Sequence, residues 1–112
     1  MDLRSHVSDD IVVLHLVGRF DNYVAPSVAG WLEKHTANEQ PRIVVNLEGV
    51  IFVDSTALAT LVQGLNRCHK RNGELHLCGL QQQVYMIFEL TRLDKAFHIF
   101  VDEEHAIQAI TS

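Results

Sequence analysis

The chain has 112 residues, of which 47% are hydrophobic, and it contains only 6 glycines and 2 prolines. These values predict one globular domain over residues 1–112 and exclude disordered, collagen-like and disulfide-scaffold classes. Nine basic against fourteen acidic residues give a net charge of −5. Because binding to a phosphate backbone needs clustered basic side chains, we expect no nucleic-acid partner.

Two further features of the composition concern the cellular location. No apolar run approaches the ~18 residues of a membrane span, so we expect no contact with a membrane. Two cysteines, Cys68 and Cys78, fit a reduced cytoplasmic protein better than an oxidised one.

The predicted elements begin with two strands. Residues 3–7 form a short strand, and residues 11–17, which are rich in β-branched side chains, form a second one. Residues 18–22 are expected to form a loop. A helix follows from about residue 23, and its apolar face consists of Val28, Trp31, Leu32 and His35.

The next strand, residues 42–47, contains consecutive branched aliphatic side chains, which is typical of a strand covered on both faces. Residues 48–50 are expected to turn the chain. Residues 51–53 then lead to the polar stretch Asp54-Ser55-Thr56.

Residues 56–71 form the strongest helical pattern, with Asp54 or Ser55 as the N-cap and Asn72-Gly73 as the C-cap. Thr60 is expected to face away from the core. The apolar positions form one stripe: Ala57, Leu58, Leu61, Val62, Leu65 and Cys68.

The last third of the chain repeats the alternation of strand and helix. Residues 74–78 are a strand, a helical stripe of apolar residues includes Phe88, and residues 97–101 are the final strand. Asp102 is the expected cap of a short last helix. The order β-β-α-β-α-β-α-β-α predicts a single α/β domain, with a mixed, largely parallel sheet of about five strands flanked by about four helices.

Ser55 lies where a predicted strand meets a helix N-terminus. Unpaired N–H groups and the positive end of the helix dipole favour a phosphate there. The local pattern by itself favours an N-cap role for Ser55 over a phosphoacceptor role, although the two are compatible. Thr56 is an alternative acceptor or a simple first-turn residue.

At these residues the sequence resembles a known family. Residues 54–58 (DSTAL) resemble the phosphorylation motif of anti-sigma factor antagonists, the STAS-domain proteins. Residues 43–50 (IVVNLEGV) look like that family's central strand and turn, and residues 18–21 (GRFD) are similar to its Gly-x-aliphatic-Asp loop. Two positions depart from the pattern: Ala57 stands where Gly is usual, and Phe20 where an aliphatic residue is more common.

The resemblance implies a bacterial, cytoplasmic partner-switching regulator that is not an enzyme and needs no cofactor. Ser55 would be the phosphoacceptor. One partner would be an anti-sigma factor that is also an ATP-dependent serine kinase, bound only when Ser55 is unmodified. A metal-dependent serine phosphatase would reverse the modification. The expected partner-binding residues are Asp21, Asp54, Ser55, Thr56 and Ala57.

Three other interpretations of the chain are open at this point. It could be an interaction subunit of a stress-sensing or lipid-transport complex with no phosphorylation cycle. It could be an aspartyl-phosphate receiver with Asp54 as acceptor, but Asp9 and Asp10 precede a strand, and no lysine follows a later strand suitably. A serine hydrolase is disfavoured because Ser55 lacks the Gly-x-Ser-x-Gly elbow.

The seven histidines raise the question of a metal site. The only sequence cluster joins Cys68-His69 with His76 and Cys78. No Cys-x-x-Cys pair is present, and Cys68 falls on an apolar helix stripe, so the sequence predicts no metal site.

Overall fold

The computed structural model describes residues 2–111, which form one five-stranded sheet and four α-helices. The strands lie in chain order across the sheet, with β1 antiparallel to β2 and the other neighbours parallel. The elements are β1 (Asp2–Ser8), β2 (Ile11–Phe20), α1 (Ala25–His35), β3 (Arg42–Val53), α2 (Ser55–Lys70), β4 (Glu74–Cys78), α3 (Gln82–Leu90), a 3₁₀ turn (Leu93–Lys95), β5 (His98–Phe100) and α4 (Glu103–Thr111). The predicted α/β class and element order are confirmed.

Two strands are longer than the sequence predicts. The expected loop at residues 18–22 is wrong for Gly18 to Phe20, which continue β2, and the expected turn at residues 48–50 is wrong because β3 runs through it. The pairing of β2 with β3 is irregular at two places, each of which inserts an extra residue in β3. A glycine inside a strand often marks a bulge. Gly18 and Gly49 therefore lie in bulged strand pairing, where the sequence predicts a loop and a turn.

The two faces of the sheet carry separate cores. Helices α1, α2 and α3 cover one face, where fully buried side chains such as Leu14, Val45 and Leu77 pack against Leu61. Helix α4 covers the other face, on which Val13, Val44 and Cys78 pack against Ala106 and Ile110. The chain can therefore bury both faces of its central strand β3.

The helices bury most residues of the predicted stripes, while His35 and Val62 are only partly buried. Trp31 is only partly buried and stacks on His35, with ring centroids 3.9 Å apart. Thr60, expected outside, is buried at 7% exposure. Its hydroxyl donates a hydrogen bond to the Thr56 carbonyl oxygen at 2.9 Å, so it lies in the core without an unsatisfied polar group.

None of the helices within residues 2–111 is both long and apolar enough to cross a membrane. The two cysteines are buried free thiols. They lie in the cores on opposite faces of the sheet, and burial raises the pKa of Cys68 to about 11 and that of Cys78 to about 12. Neither thiol is poised for reaction at neutral pH.

Candidate functional site

The polar stretch Asp54-Ser55-Thr56 lies at the end of the sheet where the parallel strands β2 and β3 have their carboxyl termini. Phe20 and Val53 are partners in the last step of this parallel pair. The residue after each of them is an aspartate, Asp21 or Asp54. The register of the sheet therefore brings together two acidic residues that are far apart in sequence.

Asp54 is the N-cap of α2. Its backbone is extended, with φ −111°, and its Oδ1 accepts a hydrogen bond from the Ala57 N–H at 2.9 Å. Its Oδ2 accepts a second bond from the Asn22 N–H at 2.8 Å. One carboxylate thus closes the start of α2 and ties it to the loop after β2.

Ser55 is the first residue of α2, and its side chain is exposed. Because Asp54 supplies the cap, the competing cap role for Ser55 is removed. No hydrogen bond from the Ser55 hydroxyl is found in the described part of the chain. The neighbouring Thr56 is also exposed, so the structure leaves both hydroxyls accessible.

Asp21 organises the loop beside this helix start. Its Oδ1 accepts a hydrogen bond from the Tyr23 N–H at 3.1 Å, and its carbonyl oxygen accepts one from the Ala25 N–H at 2.9 Å. Its Oδ2 lies 3.9 Å from the Arg19 Nε, an exposed pairing that contributes little to stability. Asp21 and Asp54 are both held by backbone hydrogen bonds, so their positions at the site are fixed.

Ala57 does not belong to the accessible surface. Its side chain is 0% exposed and packs in the core under α2. The expectation that Ala57 touches a partner is therefore corrected. Position 57 acts by packing the start of the helix, and a methyl group in place of glycine changes the core instead of the surface.

Two exposed apolar residues near the site were not predicted from the sequence. Tyr23 is 86% exposed in the loop held by Asp21, and Ile51 is 55% exposed near the end of β3. A single exposed aromatic side chain carries no sequence signal, because its neighbours in space come from other strands. Tyr23 follows Asp21 by two residues and Ile51 precedes Asp54 by three, so both expose apolar area in the segments that carry the site.

The site lacks the parts of an aspartyl-phosphate receiver. Asp9 and Asp10 lie in the turn before β2, at the opposite edge of the sheet from Asp54. The lysines are also placed away from Asp54. Lys34 and Lys70 lie in the last turns of α1 and α2, and Lys95 precedes β5. Within residues 2–111, no lysine stands at the strand ends that carry Asp54.

The cysteines and histidines that form a cluster in the sequence are separated in the structure. Cys68 lies in the core beneath α2, whereas His76 and Cys78 face α4 on the other side of the sheet. The sheet divides this group, so these residues do not come together on one face.

Comparison with known proteins connects this geometry to a family. The profile of the STAS domain matches residues 2–106. The anti-sigma-B factor antagonist of Listeria monocytogenes is 31% identical over 90 residues, which cover 80% of this chain and 79% of the relative.

Two solved structures share the fold. A STAS-domain anti-sigma-factor antagonist protein of Planctomyces limnophilus superposes with a TM-score of 0.90 at 22% identity and covers 100% of both chains. The Bacillus cell fate determinant SpoIIAA in its phosphorylated form superposes with a TM-score of 0.75 at 18% identity, covering 97% of this chain and 99% of the other.

Proposed function

The chain belongs to the STAS domain family, and on this basis we propose that it is an anti-sigma factor antagonist controlled by phosphorylation of Ser55. It acts by binding another protein and not as a catalyst. The name of the Listeria relative supports the antagonist role, and the existence of SpoIIAA in a phosphorylated form supports a switch built on this fold.

The observation that carries the proposal is the division of roles at the start of α2. Asp54 makes the cap bonds, and the exposed Ser55 hydroxyl beside it is not needed for them. A kinase can modify this hydroxyl without breaking a hydrogen bond of the fold. The structure therefore supports Ser55 as a substrate group for another enzyme.

The proposed chemistry is the transfer of a phosphoryl group from ATP bound to the partner. The Ser55 Oγ attacks the γ-phosphorus, the bond to the β-phosphate oxygen breaks, and the hydroxyl proton passes to a base of the kinase. The product carries roughly −1.5 to −2 additional charges. The helix N-terminus favours this group, so the domain stays folded.

Release of the partner then follows from bulk and charge. A partner that packs against the bare Ser55 hydroxyl, Asp54 and Thr56 meets a phosphate after the transfer. Asp21 lies at the same edge, so the new charge adds to two existing carboxylates. Like charges brought together in an interface cost on the order of several kcal/mol, and ~1.4 kcal/mol is tenfold in affinity.

The partners are an anti-sigma factor with ATP-dependent serine kinase activity and, for reversal, a metal-dependent serine phosphatase. The phosphatase adds water to the phosphorus and returns the Ser55 hydroxyl with release of inorganic phosphate. The cycle takes place in the cytoplasm, where ATP and sigma factors are available.

Phosphate mapping tests this function. The tag-free chain is incubated with an anti-sigma factor kinase of the same organism and ATP, and intact mass and peptide mass spectra are recorded. We expect one phosphate on Ser55, none in Ser55→Ala, and unchanged modification in the matched control Thr56→Ala. Full modification of Ser55→Ala, or loss only in Thr56→Ala, would overturn the assignment of Ser55.

A further inference from the structure

A second group of polar side chains lies on the opposite face of the sheet, under α4. It consists of His6 on β1, His15 on β2 and Glu103 at the start of α4, with one ligand atom of each within 4.8 Å of the others. Ser55 begins a helix on the other face, so the proposed switch does not use these three residues. They come from the two ends of the chain, and the sequence analysis did not associate them.

We propose that His6, His15 and Glu103 bind a divalent transition-metal ion, with zinc as the expected occupant. Two imidazole nitrogens and a carboxylate oxygen are a known three-ligand set for tetrahedral zinc, with the fourth position left for water. Imidazole ligands select zinc and its neighbours over magnesium or calcium, which prefer sites made only of oxygen.

The spacing of the ligand atoms fits this ion. The Nε2 atom of His15 lies 2.9 Å from Oε1 of Glu103, and the Nε2 atom of His6 lies 3.3 Å from Oε2. Bonds of 2.0–2.1 Å from a tetrahedral zinc place its ligands about 3.3 Å from one another. The third ligand atom lies within 4.8 Å of the others, so the three side chains are already grouped on the scale of a zinc site.

The two histidines are held in place by the β1–β2 hairpin. His6 pairs with Val13 and His15 pairs with Arg4, so the histidines are diagonal neighbours on one face of the hairpin. Their ring centroids are 5.1 Å apart. Arg4, the strand partner of His15, carries a positive charge next to the proposed site. Its Nε pairs with the Asp2 carboxylate at 2.9 Å.

Glu103 is oriented by a buried amide. Asn46, which is 8% exposed, donates from Nδ2 to Oε1 of Glu103 at 3.1 Å. Its Oδ1 accepts the Glu48 N–H at 2.9 Å, which fixes the direction of the amide. Supporting contacts of this kind orient the carboxylate ligands of metal sites.

The site is also accessible to an ion from solvent. The side chains of His6, His15 and Glu103 are 46%, 36% and 26% exposed. A bound zinc would connect the first strand of the chain to its last helix, so it would stabilise the folded state by mass action. Without metal, Glu103 is held here by His6, His15 and Asn46.

Calorimetric zinc titration of the full chain, with any histidine tag removed, tests the proposal. We expect one zinc per chain, and a larger loss of affinity in His15→Gln and in Glu103→Gln than the roughly 10–100-fold that loss of a supporting contact produces. His105→Gln is the matched control, because His105 lies on the same helix but pairs only with Asp102. It should bind zinc as the unchanged chain does.

Cobalt provides a readout that does not depend on the variants. Substitution of Co²⁺ into the unchanged chain should give the strong visible absorption of a tetrahedral site, and zinc should abolish it. The absence of saturable zinc binding, or an equal loss of affinity in His105→Gln and His15→Gln, would overturn the site and leave only histidine–carboxylate ion pairs.

Discussion

At the scale of single residues, the function depends on which of two neighbours supplies the helix cap. Sequence reasoning left Asp54 and Ser55 as alternatives, because both residue types cap helices well. The structure decides between them, because Oδ1 of Asp54 accepts the cap bond from the Ala57 N–H, while its Oδ2 is held by the Asn22 N–H from the loop after β2. The apolar stripe of α2 predicts the burial of Ala57, and the structure confirms it, whereas the resemblance to the family implied a partner contact there.

Substitutions at residues 54 and 55 should separate stability from switching. Asp54→Ala removes the cap bond to the Ala57 N–H and the bond to Asn22, so we expect the free energy of unfolding to fall by about 1–2 kcal/mol. Ser55→Ala should change it by less than about 0.5 kcal/mol. Urea unfolding of both variants measures this difference. Equal losses would show that Ser55 shares the cap.

His76 should make the fold sensitive to acid. It is 4% exposed beside Phe100, and burial lowers its pKa below the ordinary value of 6.5. The unfolded chain therefore takes up a proton at this residue before the folded chain does. The stability is fully present above about pH 6.5 and is lost as the pH falls below it, through the lowered pKa of the folded state.

Urea unfolding midpoints recorded from about pH 7.5 down to about pH 5.5 measure this effect. We expect the midpoint to fall in the unchanged chain and to fall less in His76→Gln. The exposed His69→Gln variant is the control and should keep the full decrease. An identical decrease in His76→Gln would exclude His76 as the cause.

At the scale of elements, helices were predicted more accurately than strand ends. The start and stop signals of α2 are local: Asp54 at one end and Asn72-Gly73 at the other. The end forms the expected motif, since Asn72 has φ 60° and the Gly73 N–H bonds to the Cys68 carbonyl oxygen at 2.7 Å. The ends of β2 and β3 depend on bulged pairing between distant residues, which no local pattern specifies.

Two glycines provide a matched test of this element-scale account. A Cβ atom at Gly73 would lie 2.1 Å from the Pro41 carbonyl oxygen, so Gly73→Ala should destabilise the chain by about 1–3 kcal/mol. A Cβ atom at Gly30, inside α1, meets nothing within 4 Å, so Gly30→Ala should stabilise it by roughly 0.5–1 kcal/mol. Thermal unfolding of both variants measures the change in melting temperature, which should fall for Gly73→Ala and rise for Gly30→Ala. Similar melting temperatures would contradict the close approach at Gly73.

At the scale of the whole molecule, the sheet separates the proposed Ser55 switch from the proposed zinc site, whose residues lie before and after Ser55 along the sequence. The alternation of strands and helices predicts the parallel sheet, and the structure shows that Asp21 and Asp54 follow adjacent strand ends in it. The alternation does not predict that α4 alone covers the second face, which depends on the register of all five strands. The residues of the proposed zinc site consequently could not be grouped before the structure was known.

The affinity of the chain for the proposed anti-sigma factor kinase, measured before and after complete phosphorylation of Ser55, tests the proposed switch most directly. We expect an affinity at least about 100-fold lower after phosphorylation, since like charges in an interface cost several kcal/mol. The far-ultraviolet circular dichroism spectrum should stay the same, and Ser55→Ala treated with the kinase and ATP should keep its affinity. Equal affinity of the two forms would contradict phosphorylation as the signal for release.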